Sequence, residues 1–180
     1  VSQWVDQSPV GMSATQATAA NQPVYVTDAL NFNPALKFDG AADYLKIPQA
    51  SITGKFPAGN AARTLIGVAL SVSNATDQSP FTYGTFAGNQ ASGFRRSTAA
   101  EAIFDGMGNP ANIIGAANTF PLNKITLISG RYTGGATGTA SVYANGLTAL
   151  ASASRNWATL IGADGAQVGQ EQDRGQRMLG

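Results

Sequence analysis

Few side chains in this sequence are equipped for chemistry, and they are scattered. Arg95 and Arg96 form the one adjacent basic pair, beside Phe94, with Asn89 and Gln90 shortly before and Tyr83 further back. Aromatic rings stack on sugar faces, planar amides and guanidinium groups reach hydroxyls, and paired arginines take a carboxylated sugar or an acidic partner. Tyr83, Asn89, Phe94, Arg95 and Arg96 are therefore the candidate ligand-binding residues. The polar segment around them, Ala87 to Thr98, reads as a loop or hairpin tip. Its alternative is a solvated strand whose residues point alternately in and out. Trp157 offers the same stacking chemistry, but Trp4 and Trp157 read better as core anchors.

Catalysis finds little support. The chain has no histidine and no cysteine, so a Ser-His-Asp triad, a thiol nucleophile, a disulfide and a Cys/His zinc site are all excluded. Glu101 and Asp105 are the only acidic pair on one candidate strand. Four residues apart, they would be separated by about 13 Å, at roughly 3.3 Å per residue. Glycoside hydrolysis asks for carboxylates roughly 5–9.5 Å apart. Calcium is a different matter, because Asp39, Asp43, Asp77, Asp105 and Asp164 all fall at turns, where oxygen ligands gather. Turn chemistry explains each aspartate equally well, so the metal question stays open. Gly134-Gly135-Ala136-Thr137-Gly138 has no helix after it to hold a phosphate.

Composition narrows the class further. The 180 residues are 43% hydrophobic but only 12% charged, with eleven basic and ten acidic residues. A net charge of +1 is too balanced for a protein that holds nucleic acid or a membrane surface by charge. No apolar run approaches the roughly 20 residues of a membrane span. No charged and then apolar stretch marks a signal peptide, and the initial Val implies processing or excision from something larger.

The elements that must position these residues are short and apolar, with turn signals between them. Ala35 to Phe38 stops at Asp39-Gly40, and Asp43 to Ile47 alternates up to Pro48. Arg63 to Val72 is the strongest run and is expected to be central. Further strands are expected at Phe81 to Phe86, where Gly84 suggests a bulge, and at Glu101 to Phe104, Ala111 to Ile114, Asn123 to Tyr132, Thr139 to Ala144 and Thr159 to Gly162. Asn145-Gly146 predicts a tight hairpin into Leu147 to Ala151, since both residues accept positive φ. Ala163 to Arg177 is a polar stretch, and its tail, Asp173 to Arg177, reads as a loop. The pattern predicts one antiparallel, all-β domain built as a sandwich or barrel.

Several stretches in order carry a resemblance: Trp4-Val5-Asp6-Gln7-Ser8, Ala14-Thr15-Gln16, Asn21-Gln22-Pro23-Val24-Tyr25, and Asn33 through Gly40 to Asp43-Tyr44-Leu45. Together with Val142 to Gly146 and Leu160 to Ala163, they resemble the bacterial and phage branch of the concanavalin A-like, laminin G-like jelly rolls. That resemblance implies a two-sheet antiparallel jelly roll over residues 1–180, with Leu36, Phe38, Leu45 and Ile47 in the core. The chain departs from the family at Pro9-Val10-Gly11-Met12, where a Gly-Asn-rich turn is usual. It also stops at Met178-Leu179-Gly180, where such domains run on into another strand. The resemblance thus implies a domain lacking its last strand, supplied by a longer polypeptide or by another chain.

The expected function is a non-catalytic recognition module outside the cell, on its surface or on a virion, binding a glycan or another surface polymer. Calcium is an open cofactor. The competing expectation is an assembly protein, such as a capsid decoration, tail, fibre or surface-layer subunit that packs against copies of itself or other surface proteins. Neither reading involves nucleic acid or membrane insertion.

Overall fold

A computed structural model describes residues 1–30, 32–108, 110–171 and 176–180. The described chain is nearly all β. In order it forms β1 (Gln3–Trp4), β2 (Ala14–Thr15), β3 (Val24–Leu30), β4 (Asn33–Lys37), β5 (Leu45–Ile47), β6 (Arg63–Ala69), β7 (Gln78–Gly84), β8 (Ala91–Arg96), β9 (Ala102–Asp105), β10 (Ile113–Ile114), β11 (Thr126–Tyr132), β12 (Gly138–Ala144), β13 (Ala151–Arg155) and β14 (Ala166–Val168). One helical turn, α1 (Gln49–Ile52), and a 3-10 turn at Ala19–Asn21 complete the elements.

Every strand pairing is antiparallel, as short alternating runs joined by Gly, Asn and Pro turns require. An eight-stranded sheet has the order β1-β2-β5-β14-β7-β8-β9-β10, and a four-stranded sheet the order β13-β12-β11-β6. A separate β3-β4 hairpin makes a third, two-stranded sheet. The two larger sheets form a β-sandwich. Phe94 and Phe104 of one and Ile128, Tyr132, Ala140 and Val142 of the other share a single buried cluster with Trp157. A second cluster gathers Leu45, Ile47, Ile52, Tyr83 and Ala166.

The sheets approach closely because a glycine stands where a side chain would collide. A Cβ on Gly130 of β11 would run into the ring of Phe104, and one on Gly106 into the indole of Trp157. Phe104 meets that indole edge-on, with ring centroids 4.5 Å apart.

Several sequence expectations change here. β6 lies at an edge rather than in the centre of its sheet, and its outward Ile66 and Val68 stay exposed. Residues 91–96 are a strand, not a loop tip. The register irregularity of β7 falls between Gln78 and Phe81 instead of at Gly84, which closes the strand at φ 106°. Asn145 does take positive φ (52°), but the connection runs on to Leu150 and β13 starts at Ala151. Residues 159–162 form only an isolated bridge, between Thr159 and Gly59, and the strand comes later, as β14. Trp157 is fully buried, whereas Trp4 is 52% exposed. Phe38, Leu45 and Ile47 are buried as expected, and Leu36 is partly buried against both clusters.

Gly130→Ala tests the close approach. Its methyl must displace the Phe104 ring, and overpacking of this kind costs about 1–3 kcal/mol. The expected result is a lower urea midpoint at unchanged slope. A parental midpoint would show that the sheets have slack.

Candidate binding face

Strand alternation sorts the site residues without reference to any ligand. Phe104, Phe94, Phe81, Val168 and Leu45 are direct cross-strand partners in turn, and this row faces the core. The neighbouring row therefore points to the opposite face of the sheet, where Asp105, Thr82 and Gln167 are nonetheless buried and only the β5-β2-β1 end is accessible. It runs Asp105–Gly93–Thr82–Gln167–Lys46–Thr15–Gln3 across seven strands. Apart from Gly93, every member carries a hydrogen-bonding side chain. Gly93 is required because a Cβ there would collide with the side chain of Thr82.

Parity also divides the expected ligand residues. Phe94 and Arg96 point into the sandwich and Arg95 points out, so the adjacent arginines lie on opposite faces. Phe94 is buried beside Phe104, with centroids 6.1 Å apart. Tyr83 is fully buried as well; it meets Phe56 edge-on and its hydroxyl donates to the Pro57 carbonyl at 3.1 Å. Neither ring offers a face for stacking. Arg96 is buried too, donating to the carbonyls of Phe120 (2.9 Å), Ser73 (3.1 Å) and Ser97 (3.1 Å), so it ties loops together. Burial lowers its guanidinium below the ordinary arginine value, with the charge of Asp77 opposing. Asn89 is exposed at φ 63°, in the loop after β7, and its N–H donates to the Gly106 carbonyl at 2.7 Å. Of the five expected residues, only Asn89 is exposed, and Arg95 is partly accessible, its side chain 15% exposed.

Arg95 anchors the outer face electrostatically. Its Nε lies 3.0 Å from Asp105 Oδ2, with the N–H direction off the oxygen, and its Nη1 lies 3.4 Å from Asp77 Oδ2. Asp105 also accepts the Met107 N–H at 2.7 Å. Burial pushes the Asp105 carboxyl above the ordinary range, against the opposing pull of the Arg95 charge. Glu101 lies outside β9 and accepts from the Ser97 hydroxyl at 2.7 Å. The two acidic residues thus do not share one strand. Toward β14, Gln170 covers the row: its amide donates to Gln167 Oε1, and Thr82 Oγ1 donates to its carbonyl at 3.4 Å.

Asp39 and Asp43 hold a turn together. Asp39 Oδ1 accepts the N–H groups of Ala41, Ala42 and Asp43 at 2.8–3.0 Å. Burial works against its ionisation, but those hydrogen bonds prevail and its carboxyl sits below the usual value. Asp43 is raised by burial and by the charge of Asp39, and it accepts the Asp39 N–H at 3.1 Å. Asp164 sits in the turn before β14. Among the described residues, no three acidic side chains gather at one point, and no helix is long and apolar enough to cross a membrane.

Sequence reading missed Thr82, Lys46 and Gln167, although Leu45-Lys46-Ile47 and Ala166-Gln167-Val168 each carry the signal of one polar residue between two apolar ones. It also missed Arg63. That side chain lies 4.9 Å from the Tyr132 ring centroid and donates to the carbonyls of Pro57, Gly59 and Trp157 at 3.2–3.4 Å. In comparisons with known proteins, no family model and no curated protein matches the chain.

The raised Asp105 carboxyl makes a pH prediction. The native state keeps this proton over a window in which the unfolded chain, titrating near about 4, has released it. Asp105 therefore makes stability fall as pH rises from that value through its raised native one. Asp105→Asn removes the titration, so its stability relative to the parent should climb with pH across the window and then level off. Urea midpoints at a series of pH values read this directly; a difference independent of pH would refute it.

Proposed function

We propose that this chain is a non-catalytic recognition module on a concanavalin A-like jelly roll, binding a glycan or similar polyhydroxylated surface polymer. Such a module works outside the cell, on the cell surface or on a virion. The supporting observation is the outer row of the eight-stranded sheet. Its accessible end is a line of three hydrogen-bonding side chains, Gln3, Thr15 and Lys46, at strand spacing, about 4.8 Å per step, which suits successive hydroxyls of a polymer. Gln3 and Thr15 are exposed and Lys46 half-buried, so this end of the row is open to a ligand. Arg95 adds a positive group toward the other end, already balanced by Asp105 and Asp77. Asp105 is buried and ion-paired, a poor arrangement for acid–base chemistry on a bound sugar.

A broad glycan array, probed with calcium present, tests this reading. Binding to a defined class of polymer is expected, weakened several-fold in the double variant Gln3→Ala/Lys46→Ala at unchanged thermal stability. Absence of specific binding across the array would overturn it.

One observation favours an assembly protein instead. Ile66 and Val68 on β6 and Leu127 on β11 form an exposed apolar cluster, with Val68 directly opposite Leu127. On that reading the chain forms a defined oligomer by light scattering, and Ile66→Lys dissociates it. A strictly monomeric parent chain would remove the reading.

A further inference from the structure

The charges of this chain are unevenly placed along it. Between Asp43 and Asp77, and again between Asp105 and Asp164, no acidic residue occurs. These two stretches hold six of the eleven basic residues and none of the ten acidic ones. All four strands of the smaller sheet, β6, β11, β12 and β13, lie within them, together with the turns that join β11 to β12 and β12 to β13. The four-stranded sheet is thus an acid-free, cationic part of a molecule whose net charge is only +1.

Register sorts its side chains. Ile128, Tyr132, Ala140 and Val142 face the core, so the alternate positions point to the opposite face. One row there runs Thr64–Arg131–Ser141–Ser152 in direct cross-strand pairs, and the next runs Ile66–Ser129–Tyr143. Thr64, Ile66, Arg131 and Ser152 are exposed, and Ser129 and Tyr143 are half-buried. Ser141 is buried and accepts the Ser152 hydroxyl at 2.7 Å. Arg131 differs from the other arginines of this sheet. Arg63 and Arg155 use their donors on loop carbonyls. Among the described residues, no carboxylate pairs with Arg131 and no hydrogen bond engages its guanidinium.

The surroundings of that free guanidinium define what it fits. Its planar fork matches a carboxylate. Hydroxyls on three strands flank it, which suits a ligand that is itself polyhydroxylated. Tyr143 and Ile66, in the next row, offer ring and methyl surface to the C–H face of a sugar. One cation among hydroxyls suits charge spaced along a sugar chain, not the dense phosphates of a nucleic acid. A second copy laid on this face about a two-fold axis would bring another Arg131 and no carboxylate.

We propose that the polar half of this face, centred on Arg131, binds a carboxylated polysaccharide. The guanidinium takes a uronate carboxylate, and Thr64, Ser129 and Ser152 take neighbouring hydroxyls. The site lies on the other sheet from the Gln3–Thr15–Lys46 row and does not rest on that row binding anything.

Polygalacturonate is the probe, and its fully methyl-esterified form, with the same backbone and no charge, is the control. Titration calorimetry should show binding of the acid form, weakened by added salt, and binding of the ester about tenfold weaker or absent. Arg131→Gln should lose about tenfold in affinity for the acid form at an unchanged urea midpoint. Arg131→Lys, which keeps the charge without the fork, should recover only part of that loss. No binding of the acid form, equal binding of the ester, or full affinity in Arg131→Gln each overturns the proposal. Tighter binding of duplex DNA than of polygalacturonate, lost in the same variant, assigns the face to a denser polyanion and also overturns it. The double variant Gln3→Ala/Lys46→Ala should keep its affinity for polygalacturonate, so this site and the row can fail separately. Loss of polygalacturonate binding in that variant would place the ligand on the row and overturn the present site.

Discussion

The fold depends on one contact, the edge-on packing of Phe104 against Trp157 between the two sheets. Trp157 does not sit on a strand. It is carried by the connection after β13 and is fixed through its backbone and its ring. Its indole N–H donates to the Ala111 carbonyl at 2.9 Å, its backbone N–H to the Tyr132 hydroxyl at 3.3 Å, and its carbonyl accepts from Arg63 at 3.2 Å. Four connections, around residues 57–60, 105–112, 132–135 and 155–159, thereby meet at one end of the sandwich. A large buried aromatic contributes most of its stabilisation as area removed from water, but these polar contacts determine where it lies. Gly106 and Gly130 provide the space it needs.

From that contact the parity of the eight-stranded sheet follows. Phe104 faces the core, so Phe94 and Phe81 must, and the row beginning at Asp105 must turn outward. One alternation rule thus places a hydrophobic row in the core and a hydrogen-bonding row on the opposite face of the sheet, part of it buried. It makes Arg96 a buried staple and leaves Arg95 at the surface. No local feature of the two adjacent arginines distinguishes them; the distinction comes from strand register.

This is also why the fold was more legible than the site. Short alternating runs and turn residues are local signals, and they yield an antiparallel β protein and most of its strands. They recover the Asp39-Gly40 turn in its chemical detail, with φ 71° at Gly40 and three N–H groups on one carboxylate oxygen. The site depends on which residues share a face, and that is set by pairings far apart in sequence, such as Gln167 with Lys46 and Thr82. Ala91 to Arg96 misleads because its polar and glycine content looks like a loop, although Ser92, Phe94 and Arg96 keep period two. Leu147 misleads in the opposite sense, as an apolar residue in a strand-like run that stands 99% exposed in the connection. Trp4 reads as core because large aromatics usually are, yet it lines an open groove, where no described strand covers it.

The way the arginines are used limits how the outer face can recognise anything. Arg63 and Arg96 are buried with no carboxylate in their hydrogen bonding, and Arg155 donates to the carbonyls of Ala111, Asn112 and Ser154. Arg95 is matched by Asp105 and Asp77. These cations serve as multi-donor clamps on loop backbone, a role suited to the fork geometry of guanidinium. The net charge of the chain is only +1. Long-range steering of a polyanion is therefore weak, and any ligand on the outer face must be held by short-range hydrogen bonds from amides and hydroxyls. Such contacts depend on shape and register far more than on ionic strength. A rigid row of polar side chains at fixed strand spacing suits that mode of binding.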